Sequence, residues 1–149
     1  MSRSISHVLS AIAVLALTGC ATGYERAERP FTGAFGGSGG YWDKKGPGRL
    51  IKVGFHGNRF IDTDKVGVYL LRRCAEVSKR EGSEYFILYQ TLPDAVGDRR
   101  SSGRSVDTVG GSADSYAYIL LTNKPGVGVL SSAEVIKRLQ GEVNSGRAS

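Results

Sequence analysis

The sequence predicts an α+β fold: a small β-α-β-β-α sheet with both helices packed on one face, preceded by a Gly-rich flexible tether. Three observations predict it. Ile51, Val53 and Phe55 alternate with Lys52, Gly54 and His56, the period of a strand with one buried face. Val66, Leu70, Cys74 and Val77 then recur at helical spacing, which makes one apolar stripe. Two later runs, residues 85–89 and 115–122, are rich in aromatic and β-branched residues and read as strands.

The elements follow in order. After the strand from Arg49, Gly57-Asn58 reads as a tight turn taken at positive φ. A helix is expected over 63–81. Asp62 or Thr63 caps its start, Asp64 suits the positive end of its dipole, and Lys79-Arg80 suit the other end. Leu71, Ala75 and Tyr69 broaden its apolar face, and Arg72, Arg73 and Glu76 pair at i,i+3 and i,i+4 on its exposed side. Gly82 follows as a helix stop. Tyr85-Phe86-Ile87-Leu88-Tyr89 is apolar on both faces and reads as a central strand. Residues 93–113 hold Pro, Gly, Ser, Asp and Arg and predict a long polar loop. A third strand over 115–122 ends at Lys124-Pro125-Gly126. Ser131-Ser132-Ala133-Glu134 is a capping box opening a helix with Val135, Ile136, Leu139 and Val143 inward. A right-handed crossover predicts that the first two strands pair in parallel, with the third returning antiparallel beside the second.

The N-terminus carries a separate signal. Arg3 precedes ten apolar or small residues, 8–17, and no acid appears before Glu25. Ten residues suit the core of a signal peptide and fall far short of the ~20 that span a bilayer. The run ends in Leu17-Thr18-Gly19-Cys20. This resembles the bacterial lipobox, in which a Leu and two small residues precede an obligatory Cys. The resemblance implies diacylglycerol on the Cys20 sulfur, cleavage between Gly19 and Cys20, and acylation of the new amine. Position 21 is Ala and not Asp, which by the sorting rule of enterobacterial lipoproteins implies the outer membrane. Ordinary cleavage after Ala21 and an uncleaved helix are the alternatives.

The expected organisation is therefore a lipoprotein signal peptide over 1–19, the lipidated Cys and tether over 20–48, one domain over 49–145 and a tail over 146–149. The tether holds Thr32-Gly33-Ala34-Phe35-Gly36-Gly37-Ser38-Gly39-Gly40. As flexible coil, residues 21–48 have a root-mean-square reach of about 30 Å. Tyr41-Trp42 are expected to dock on the domain beside the first strand. Removing the leader leaves 130 residues, room for one small core. The precursor's +6 becomes +5, since the leader holds Arg3 and no acid. Export, and the lack of basic residues interleaved with aromatics along the chain, argue against nucleic acid. With Cys20 lipidated, Cys74 has no partner for a disulfide and is expected to be buried and inert.

Further motifs point to a family. Gly39-Gly40-Tyr41, Val53-x-Phe55-x-Gly57-Asn58, Arg72-Arg73-Cys74-Ala75-Glu76 and Gly82-x-x-Tyr85-Phe86 resemble, in order and spacing, an uncharacterised family of small proteobacterial envelope lipoproteins. The resemblance covers about residues 39–90 and implies location and fold, with no activity attached. Cys74 stands where the family more usually has Ala.

No cofactor, metal site or catalytic set is expected. The chain lacks Gly-x-Ser-x-Gly and Gly-x-x-x-x-Gly-Lys-Ser/Thr. His56, the sole histidine after cleavage, needs an acid or a Ser within hydrogen-bond reach to do chemistry. Arg99, Arg100 and Arg104 form a candidate anion-binding loop. The expected function is a membrane-anchored, non-enzymatic envelope lipoprotein that binds or scaffolds an envelope protein or other partner. A lipopolysaccharide-binding lipoprotein and a weak envelope-polymer hydrolase using His56 are the alternatives.

Overall fold

The computed structural model describes residues 23–27, 39–58, 60–102, 105–109 and 112–145. Cys20, Arg104 and the rest of the expected leader and tail lie outside them. The architecture is α+β, as expected: one antiparallel sheet with its two long helices on the same face. The elements are β1 (Gly40–Lys45), β2 (Leu50–His56), α1 (Thr63–Arg80), β3 (Tyr85–Tyr89), α2 (Leu92–Val96), β4 (Ser105–Val109), β5 (Ser112–Thr122), β6 (Val129–Ser131) and α3 (Ser132–Ser145).

The strand order is β1-β2-β5-β3-β6, and β4 pairs with the first half of β5. Here one expectation is corrected. β2 and β3 run in the same direction but are not hydrogen-bonded to each other, because β5 lies between them and is antiparallel to both. β5 earns that central place by being apolar on both sides: Ala117 and Ile119 face the helices and are fully buried, while Tyr116 and Tyr118 face the other way. α1, 18 residues and about 27 Å long, is ample to cross over one intervening strand.

The helix side of the sheet forms the main core. Val53, Phe55, Phe86, Leu88, Ala117 and Ile119 meet Val66, Leu70, Cys74 and Val77 of α1, and Val135, Leu139 and Val143 of α3. Asp62 caps α1 by accepting from the Asp64 amide at 2.7 Å, and Ser131 Oγ receives the Glu134 amide at 3.4 Å at the start of α3. Gly82 takes φ +78° directly after α1, as a helix stop requires. Gly57 differs from expectation. It is not among the positive-φ glycines. It is needed for space, since a Cβ there would lie 2.4 Å from Ile61 Cγ2 and 2.7 Å from the Ala113 carbonyl.

Two stretches expected to lack regular structure contain elements. The polar loop holds α2, closed by a Thr91/Asp94 capping box with Pro93 in its first turn, and β4, which pairs Val109 with Ser112 across the two-residue link Gly110-Gly111. The expected tether 20–48 holds β1, so the domain begins earlier than residue 49. β1 pairs with β2 along its whole length, from Gly40 opposite His56 to Lys45 opposite Ile51.

Residues 23–27 also lie against the domain. Arg26 bridges Tyr41 in parallel; the Tyr41 amide donates to the Glu25 carbonyl at 2.8 Å and the Ala27 amide to the Tyr41 carbonyl at 3.0 Å. Gly40 permits this approach. Its φ is +137°, and a Cβ would lie 2.4 Å from the Glu25 oxygen. The Tyr24 ring packs 5.0 Å from Tyr41 and 5.3 Å from Tyr69, and its hydroxyl donates to Glu76 at 2.5 Å. Burial, then the Glu76 hydrogen bond, push the Tyr24 phenol far above its ordinary pKa.

The arginines of α1 are drawn into the same contact. Arg72 and Arg73 do pair with Glu76, at 2.9 and 3.6 Å, but Arg73 is only 11% exposed. It also reaches Asp43 of β1 at 2.5 Å and lies over the Tyr41 ring at 4.2 Å. The side expected to be exposed is covered by β1 and Tyr24.

Candidate functional site: the sheet face away from the helices

The strand alternation that buries Ile51, Val53 and Phe55 sends Lys52, Gly54 and His56 to the opposite face. Register adds neighbours from the flanking strands: Trp42 opposite Gly54, and Asp114, Tyr116 and Tyr118 opposite His56, Gly54 and Lys52. The result is an aromatic and basic surface assembled from three strands.

Lys52 sits at its centre. Its ammonium lies 4.1 Å from the Tyr116 ring centroid, 5.4 Å from Tyr118 and 5.9 Å from Trp42, and Lys44 approaches Trp42 at 5.6 Å. All fall within the ~6 Å at which a ring quadrupole attracts a cation. The Trp42 indole lies flat over Gly54, where a Cβ would sit 2.2 Å from Cζ2. Glycine at 54 therefore makes the seat for the indole. The Trp42 Nε1 donor is buried with no hydrogen-bond partner among the described residues. A buried donor without a partner costs about 1–3 kcal/mol.

At one end of this face His56 Nδ1 donates to Asp114 Oδ1 at 2.8 Å, and the imidazole stacks on Trp42 at 5.7 Å between centroids. A carboxylate on Nδ1 fixes the tautomer that leaves Nε2 as the basic nitrogen. Both side chains are about one-fifth exposed. Ser115, next in sequence to Asp114, points to the helix side and is buried. Toward β3 the face is partly covered: Ile87, Tyr89 and Tyr118 form a second apolar cluster with Leu92 and Ala95 of α2.

The expected anion-binding loop has a different arrangement. Arg99 pairs with Asp94 at 2.9 Å, and Arg100 pairs with Asp98 at 2.9 Å while donating to the Val127 carbonyl at 2.7 Å. The guanidinium edges of both arginines bind neighbouring parts of the chain. Arg104 lies outside the described residues, as do Gly19 and Cys20. Cys74 is fully buried on α1, and burial raises its thiol well above the ordinary value, so it is unreactive.

Sequence reasoning missed Trp42, Lys52, Tyr116 and Asp114 as one surface. No basic-aromatic stripe runs along the chain; this one runs across strands. The alternation at 50–56 and 114–118 was its only sequence signal, and the pairing register, which no single strand displays, completes it. Among the described residues no group of three or more His, Cys, Asp or Glu could hold a metal ion, and no helix is long and apolar enough to cross a membrane. No family model, curated protein or solved structure matches the chain.

Proposed function

We propose that the chain is a bacterial envelope lipoprotein, anchored to the outer membrane through a diacylglyceryl Cys20 and facing the periplasm, which acts by binding a partner and not by catalysis. The observation that carries the anchor is the Leu17-Thr18-Gly19-Cys20 sequence closing a ten-residue apolar run. The motif order that resembles small proteobacterial lipoproteins supports it. The aromatic and basic sheet face supports the binding role. Trp42, Tyr116 and Lys52 suit a partner that brings a ring face and negative charge, as the phosphorylated sugars of lipopolysaccharide do. Such binding weakens as salt rises.

Mass spectrometry of the mature N-terminus, with membrane fractionation, tests the anchor. The expected result is a chain beginning at Cys20 that carries diacylglycerol, with Cys20→Ser unlipidated and lost from the membrane fraction. An unmodified N-terminus at Thr22 overturns the anchor.

One observation favours a second reading. The His56–Asp114 pair at 2.8 Å has the base-and-orienter geometry of a weak envelope-polymer hydrolase. Purified protein should then release fragments from peptidoglycan, and His56→Gln and Asp114→Asn should each abolish release. Equal activity in the variants and the parent eliminates this reading.

A further inference from the structure

Residues 21–48 looked like a leash, yet the structure brings the first part of that stretch back onto the domain. Tyr24 stands four residues after Cys20. Four residues, however extended, reach about 14 Å, roughly half the ~30 Å expected of a 28-residue coil. The attachment at Tyr24 is built, not incidental. It combines a half-buried ring packed on the core, the Glu76 hydrogen bond, two backbone hydrogen bonds to Tyr41, and a glycine at position 40 where any Cβ would strike the Glu25 carbonyl.

The direction of approach is also set. Residues 23–27 run parallel to β1, with Arg26 level with Tyr41. Gly23 therefore lies at the end of the sheet where β1 begins and β2 ends, marked by Gly40 opposite His56. The loop after β2 and the start of α1 lie at that same end. That loop carries Phe60, half exposed, which with Ile61, Val68, Lys65 and the acids Asp62, Asp64 and Glu142 lines a cleft of about 380 Å³. A phenyl ring suits burial at the boundary of head groups and acyl chains. The β1–β2 turn containing Arg49 lies at the other end, about 20 Å away along β2.

We infer that the Tyr24 clamp holds the domain directly against the bilayer, with the Phe60 end of the sheet toward the lipid head groups and the Arg49 end away from them. This rests on Cys20 being the lipid anchor. The inference concerns the orientation and partner surface of the domain: a lipid interface met by the β2–α1 loop, with the aromatic and basic sheet face standing roughly upright from the membrane.

The test uses the lipidated protein in vesicles. Lipidation occupies the Cys20 thiol and burial silences Cys74, so Thr63→Cys or Arg49→Cys supplies the reactive thiol for a fluorophore. The expected result is strong quenching at 63 by a quencher carried in the lipid phase, and little at 49. Inserting a Gly-Ser linker of about ten residues after Ala21, between Cys20 and the clamp, should weaken the quenching at 63 and its contrast with 49, because the clamp then no longer fixes the domain close to the lipidated residue; the linker combined with Tyr24→Ala should abolish the contrast. Tyr24→Ala alone should reduce quenching at 63 several-fold while the thermal melting of the domain core is retained. Equal quenching at 63 and 49 on lipidated protein overturns the orientation, as does an unchanged contrast in the combined variant. Fluorophore found on Cys20 itself shows that the diacyl anchor is missing, and that outcome overturns the anchor together with this inference.

Discussion

Arg73→Ala should lower the stability of the domain by about 3 kcal/mol, the lower end of the range for breaking a buried ion pair. Arg73 and Asp43 are 11% and 13% exposed and 2.5 Å apart. Removing the guanidinium strands the carboxylate of Asp43 with only the half-exposed Arg80, at 2.8 Å, to balance it. It also strips the cation from the Tyr41 ring and one partner from Glu76, so β1 and the Tyr24 contact loosen together. Urea unfolding of the two proteins measures the difference, and a loss below about 1 kcal/mol means that the pair contributes no more than a surface one.

The same pair sets an acid limb. Burial pushes the Asp43 carboxyl up, but hydrogen bonds from Arg80 and Arg73 outweigh it and hold the group below the ordinary carboxylate value. A group depressed in the folded state stabilises the fold above its unfolded pKa, about 3.9. That contribution is lost as pH falls through the folded value. Stability should therefore drop below about pH 4, and Asp43→Asn should make that drop shallower.

Phe55→Ala should cost about 3–5 kcal/mol, the usual range for emptying a buried aromatic site. Phe55 is fully buried, its ring 5.0 Å from Tyr69 of α1. Lys52→Ala, three positions earlier on the same strand, should cost about 1 kcal/mol, because it removes half-buried cation-π contacts and opens no core cavity. Denaturant midpoints of the two variants check this. Comparable losses would mean that β2 does not present one face to the core and the other to solvent.

Much of the scaffold was legible because its signals are local. The Phe55 side of β2 follows from alternation, the stripe from Val66 to Val77 from helical spacing, and the Asp62 and Ser131 caps from short-range hydrogen bonds. Two further local signals were present and passed over: the Thr91-Leu92-Pro93-Asp94 capping box of α2, and Gly110-Gly111 between two strands. The density of polar residues around them masked both.

The candidate site was legible only in pieces. His56 could be placed on the face away from the core, but its partner Asp114 lies 58 residues along the chain and meets it through strand register. Tyr41-Trp42 were expected to dock beside the first strand, and they do, but as part of a strand of their own, which nothing nearby marks over Gly40–Lys45. The strand character of that segment comes from the open edge of β2 and from Arg73 and Arg80, which bind Asp43.

By itself the sequence determined the α+β class, the inward faces of α1 and α3, the two-sided character of β3, and the lipobox-like ending at Cys20, each of which depends on residues within a few positions of one another. Only the tertiary structure decided that β5 separates β2 from β3, that Lys52, Trp42, Tyr116 and the His56–Asp114 pair share one surface, and that Tyr24 returns to the domain four residues after Cys20. Those outcomes depend on which strand edges and helix side chains meet across long separations, a balance of hydrogen-bond ladders, burial and ion pairing that no local stretch of chain contains.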